Sequence, residues 1–172
     1  TVTPAPAAPT VTSPVTYCQG AAATQLTPNG GTFKWYADNT TTTALPIAPT
    51  PSTATAGTTN YYVSQTTNMC ESARAQVTVT VNALPTATIT AGSSTTFCAG
   101  GAVTLTAPTG SSYIWKNGTT QVGTSATYVA TAAGSYTVEV TNASNCKATS
   151  SATAVTVTPA PAAPTVTSPV TY

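Results

Sequence analysis

Histidine is absent from this 172-residue chain, and only seven side chains carry charge: Lys34, Arg74, Lys116, Lys147, Asp38, Glu71 and Glu139. General acid–base catalysis leans on histidine and on paired carboxylates. Three acids scattered along the chain make no such pair, so no catalytic residue and no enzymatic activity is expected. A net charge of +1 offers no basic face for nucleic acid. Zinc would call for CxxC pairs or histidines. Calcium would call for clustered acids, and Asp38 is the sole aspartate. No metal and no cofactor is therefore expected. No apolar run reaches the roughly 18 residues needed to cross a bilayer, so this segment should hold no membrane span. The first residues are not a basic-then-apolar leader, which puts any export signal outside this window. No window shows a helical period either.

What the chain has in quantity is threonine and valine, and one exact repetition. Residues 156 to 172, TVTPAPAAPTVTSPVTY, match residues 1 to 17 letter for letter. A strand and a proline linker tolerate many sequences, so identity over 17 positions signals a tandem array. The chain then spans one period of 155 residues and the first 17 of the next.

A weaker repeat is nested inside that period. Cys18 precedes Trp35 by 17 residues, as Cys98 precedes Trp115. Tyr61-Tyr62-Val63 and Tyr136-Thr137-Val138 each lead to a second cysteine, Cys70 and Cys146. Each half closes on alternating Val and Thr, at Val77 to Val81 and at Val155 to Thr158. Period-two alternation marks half-buried strands, and β-branched Thr suits the outer face. Gly and Pro clusters punctuate the runs at short intervals, the pattern of a Greek-key sandwich. The expected organisation is the end of a preceding repeat and its linker at 1–7, a first domain at 8–83, a second at 84–159, and a linker with the start of the next repeat at 160–172. Pro85 marks the first linker, and Pro159, Pro161 and Pro164 stiffen the second. The expected fold is all-β: two tandem immunoglobulin-like Greek-key β-sandwiches in an end-to-end rod.

Two cysteines at matched places in each half suggest disulfides, and with them an oxidising compartment. The economical pairing is within each domain, Cys18–Cys70 and Cys98–Cys146. Plain immunoglobulin strand order instead puts the two cysteines of a domain at opposite ends of the sandwich, too far apart to bond. That leaves open an inter-domain alternative, Cys18–Cys146, with Cys98 meeting the Cys70 equivalent of the following period. Trp35 and Trp115, each a fixed distance after a Cys, read as core plugs, with sugar-stacking platforms as the competing reading. Tyr62 and Tyr136 join them as core candidates. They lie eight and ten residues before the second Cys rather than two, which argues against a tyrosine corner.

The segments YCQGAAATQLT, FKWY and NYYVSQTTNMCES resemble the immunoglobulin-like repeats of very large surface proteins in Bacteroidetes. FCAGGAVTLTA, YIWKNG and AAGSYTVEVTNASNC look like the PKD-like or immunoglobulin-like modules that accompany them. Such modules occur in giant adhesins, including gliding-motility adhesins, and in other cargo of the type IX secretion system. The resemblance implies a sandwich fold and an extracellular, cell-surface location. The function expected on this basis is a structural stalk repeat. Two other readings are a carbohydrate- or surface-binding module, and a self-assembling filament subunit joined by strand addition. The expected partners are neighbouring repeats of the same chain, with a surface polysaccharide or the substratum as further candidates.

Overall fold

The computed structural model describes residues 4–29 and 31–165. The chain divides into two compact units, Thr1–Leu84 and Pro85–Tyr172.

In the first unit, Val77, Val79 and Val81 are buried while their neighbours in sequence lie nearer solvent, so β5 (Ala75–Asn82) is a strand with one face on the core. It lies between β1 (Val15–Cys18), parallel to it, and β3 (Gly57–Thr67), antiparallel to it. Outside β3 runs β2 (Thr32–Tyr36), with Trp35 opposite Val63. The two-residue β4 (Cys70–Glu71) folds back on the end of β3. Among the described residues the facing layer contains no regular strand. Pro46, Pro49 and Pro51 remove the donors a ladder would need, and isolated bonds such as Leu26 N to Pro49 O (2.9 Å) and Gly20 N to Thr53 O (2.9 Å) hold it instead. Leu26, Trp35, Val63, Val77 and Val79 form the core, flanked by Val15, Phe33 and Tyr61.

The second unit closes the sandwich with regular strands: β6 (Thr90–Ala91), β7 (Thr96–Cys98), β8 (Val103–Thr106), β9 (Ser112–Asn117), β10 (Thr120–Gly123), β11 (Thr127–Ala130), β12 (Gly134–Thr141), β13 (Lys147–Thr149) and β14 (Thr153–Thr158). One sheet runs β10-β9-β12-β14-β7 with β13 on β12, and the other runs β11-β8-β6. Successive connections from β6 to β9, and those on either side of β11, pass between the sheets, as a Greek key requires. Val103, Leu105, Trp115, Ala130, Tyr136, Val138 and Val140 fill the space between them.

The two units share a register. Trp115 faces Val138 as Trp35 faces Val63, and β7 lies parallel to β14 as β1 does to β5. In that register Tyr61, not Tyr62, is the counterpart of Tyr136. Tyr61 packs on the first core, and Tyr62 is half-buried on the other face of β3, outside the core cluster. The assignment of Tyr62 as a core residue is thus corrected: adjacent strand residues point to opposite faces, and Val63 sets which of the two points inward. Trp35, Trp115 and Tyr136 are buried, at 4%, 0% and 1% exposure.

The expectation against a tyrosine corner is also overturned in the second unit. Tyr136, near the start of β12, donates from its hydroxyl to the Ala132 carbonyl four residues upstream (2.9 Å), which is the defining bond of that corner. Its spacing from the following cysteine differs from the antibody pattern because Cys146 lies beyond the strand, in a turn shaped by Asn142. The Asn142 Oδ1 accepts from the backbone N–H of Ser144 and of Cys146, each at 3.0 Å.

Candidate functional site

The ends of each unit carry its sulfur chemistry. In the first unit Cys18 faces Asn82, and the Gln19 N–H donates to the Asn82 carbonyl (2.8 Å). Cys70 faces Thr67 at the other end of β3. The 11 residues of β3 lie between them, about 33 Å at the usual rise per residue. In the second unit Cys98 faces Thr158, while Cys146 lies just past Thr141, where β12 meets Lys147. The 8 residues of β12 and the outer half of β14 intervene, again about 30 Å. A disulfide needs its Cα atoms within about 7 Å. The within-domain pairings Cys18–Cys70 and Cys98–Cys146 are therefore not formed: Cys70 and Cys98 are free thiols, whereas Cys18 and Cys146 are disulfide-bonded.

Four of the seven charges gather in the first unit. The Glu71 carboxylate accepts from the Tyr36 hydroxyl (2.6 Å), the buried Ser64 hydroxyl (2.6 Å) and the Lys34 ammonium (3.2 Å). The Ser64 bond, then the Tyr36 bond, holds the Glu71 pKa down at about 2. Arg74 lays its guanidinium 3.5 Å from the centre of the Tyr36 ring and donates to the carbonyls of Asp38 (3.0 Å) and Thr41 (2.6 Å). Asp38 in turn accepts from the N–H groups of Thr41 and Thr40, which lower its pKa. Each charge in this network is matched by hydrogen bonds within the unit, and the whole pins the Asp38–Thr41 turn and β4 against the ends of β2 and β3. Sequence spacing gave no hint of it, because residues 34, 38, 71 and 74 meet only through strand pairing. In the second unit Lys147 pairs with Glu139 at 2.9 Å.

Burial removes Trp35 and Trp115 as open stacking platforms; the Trp115 indole donates to the Ser125 carbonyl (2.8 Å) inside the sandwich. One cleft of about 200 Å³ opens in the first unit beside Val15, Tyr17, Gln25, Leu26 and the edge of Trp35. Among the described residues no three potential metal ligands come together, and no helix is long and apolar enough to cross a membrane. Of the linker prolines, Pro85 is half-buried and Pro159, Pro161 and Pro164 are exposed.

Sheets of this order, with a buried Trp on the strand opposite Val63 or Val138, define immunoglobulin-like β-sandwiches. Residues 6–83 match the family described as Ig-like domain, CHU_C associated, and the chain carries an immunoglobulin-like repeat. No curated protein matches the chain. Among solved structures, murine CEACAM1b is 15% identical, with 84% of this chain and 96% of that one covered at a TM-score of 0.39. The complex of a mouse coronavirus receptor-binding domain with its murine receptor is likewise 15% identical, covering 83% and 96% at 0.45. The fibronectin(III)-like modules of Clostridium thermocellum CbhA are 16% identical, covering 84% and 88% at 0.43.

Proposed function

We propose that this chain is a stalk repeat of a long extracellular surface protein, of the adhesin or gliding-motility type exported by type IX secretion, which extends a distal adhesive region or transmits force to it. The observation that carries the reading is where the exact repeat falls. Its second copy begins at Thr156, inside the closing strand β14, and the first copy ends at Tyr17, inside the opening strand β1. The repeated segment thus runs from the last strand of one sandwich type to the first strand of the other, so an array of such periods is continuous. The chemistry agrees: Lys34, Asp38, Glu71, Arg74, Glu139 and Lys147 are held by partners within their own unit, and Trp35, Tyr61, Trp115 and Tyr136 serve the cores. Sandwiches of this class are generally not enzymes.

Mass measurement of the denatured, reduced polypeptide from its native source tests the reading. One very large chain is expected, and electron microscopy should show rods that lengthen in proportion to the number of periods. A polypeptide of one period would overturn it.

The cleft beside Tyr17 and Trp35 supports a second reading, a carbohydrate- or surface-binding module. Glycan-array binding lost in Tyr17→Ala, with the fold retained, would favour it. The strand-addition reading is weakened, because Thr156 to Thr158 already pair with Thr96 to Cys98 of the same unit; residues 166–172 lie outside the described residues.

A further inference from the structure

Each unit carries one cysteine where the chain leaves it and one where the chain enters. Cys18 faces Asn82, the last residue of β5, and Cys98 faces Thr158, the last residue of β14. The following residue makes the same backbone bond in both units, Gln19 N to Asn82 O and Ala99 N to Thr158 O, each at 2.8 Å. These two are trailing-end cysteines. Cys70 lies at the leading end of the first unit: its partner strand β3 there carries Gln65, whose amide donates to the carbonyl of incoming Ala7 (2.6 Å). Cys146 holds the same place in the second unit. It follows Thr141, whose carbonyl takes the Ser111 N–H (2.7 Å) at the turn reached past Thr106, the end of β8 that incoming residues before Thr90 run alongside.

One trailing-end cysteine, Cys18, and one leading-end cysteine, Cys146, are disulfide-bonded, while their counterparts Cys98 and Cys70 are free. Cys98 is exposed, with its sulfur accepting from the Thr158 hydroxyl at 3.6 Å. No bond within either unit can be made, because each unit's two cysteines stand about 30 Å apart. The unit that follows Cys98 in an array is of the first type, because residues 156 to 172 repeat residues 1 to 17. Its leading-end cysteine is Cys70.

We propose that a disulfide staples successive periods of the array, joining Cys98 to Cys70 of the following period. The inference rests on the array reading above. The reaction is thiol–disulfide exchange with an extracytoplasmic dithiol–disulfide oxidoreductase. The Cys98 thiolate attacks the oxidoreductase's disulfide and forms a mixed disulfide. The Cys70 thiolate of the next period then displaces it, forming the new S–S bond. The electron pair goes to the oxidoreductase, the two thiol protons pass by way of solvent to its two sulfurs, and it departs as its dithiol.

Counting thiols in a chain of two consecutive periods, folded in a glutathione redox buffer, tests the staple. One period leaves two free thiols, Cys70 and Cys98. Two periods should again show two, since the internal Cys98 and the second Cys70 are joined; four thiols would overturn the proposal. Non-reducing peptide mapping should show that linked pair, and a peptide joining Cys98 to Cys146 would equally overturn it. Cys98→Ser in the first period should raise the count from two to three with the circular dichroism unchanged; a count that stays at two would refute the pairing. The thiol count is independent of native polypeptide length, so failure of the staple and failure of the array reading are told apart.

Discussion

Three hydroxyls and one carboxylate show how a chain poor in charge orders itself. The Tyr136 hydroxyl is buried and bonded to the Ala132 carbonyl. Tyr136→Phe keeps the ring against Tyr128 and removes the hydroxyl, leaving the Ala132 carbonyl without that donor. A loss of about 1–2 kcal/mol is expected, read as a lower urea midpoint for the second unit with an unchanged slope. Glu71 works through its charge. Its folded pKa of about 2 lies below its ordinary value of 4.5, because the Ser64 and Tyr36 hydroxyls bond the ionised form. A depressed carboxyl pKa contributes stability that is complete above the unfolded value and is lost as pH falls through the folded one. The first unit should therefore weaken between about pH 4.5 and pH 2. Glu71→Gln should flatten that part of the profile, and an equally steep loss in the variant would show that another group is responsible.

At the scale of elements, the turn from β3 to β4 is locally strained. Asn68 and Met69 both have positive φ, 49° and 65°, and join Thr67 to Cys70 in a two-residue hairpin. Asn suits such a turn, but Met does not, and glycine is the residue favoured at the second position. Met69 is 98% exposed, so it gives no packing in return. Met69→Gly is expected to stabilise the first unit by about 0.5–1 kcal/mol, measured by urea denaturation; destabilisation would show that its side chain is held by something else.

The Val–Thr alternation of β5 and β14, the Trp positions and the two-unit division were legible in the sequence, because each is a local pattern or an internal repeat. Other features depended on what strand pairing brings together. The inward choice between Tyr61 and Tyr62 needed the register with Val77, and the irregular second layer of the first unit followed from prolines that no periodicity displays. The Glu71 network joins residues 37 positions apart. The cysteines were legible as pairs of ends only to the extent that strand order was known, and parallel pairing of β1 with β5 decides it.

For the whole molecule, stability is divided between two cores that share no residue: one around Trp35 and one around Trp115. Neither relies on acids that would bind calcium, so EDTA should leave the melting temperature unchanged, and a large drop on chelation would contradict this. The second core is the larger. It adds buried Leu105, Tyr136 and Val140, and it lies between two sheets of regular strands. The first depends on an irregular layer anchored by Leu26. More apolar surface removed from water means a higher transition, so calorimetry should resolve two events, with the first unit melting at the lower temperature. Trp35→Ala should depress only the lower event and Trp115→Ala only the upper one, each by about 3–5 kcal/mol from the lost burial and the cavity left behind. If either substitution moved both transitions by the same amount, the two sandwiches would be a single cooperative unit. An array of the proposed kind, pulled from its ends, would then yield one period at a time rather than one sandwich at a time.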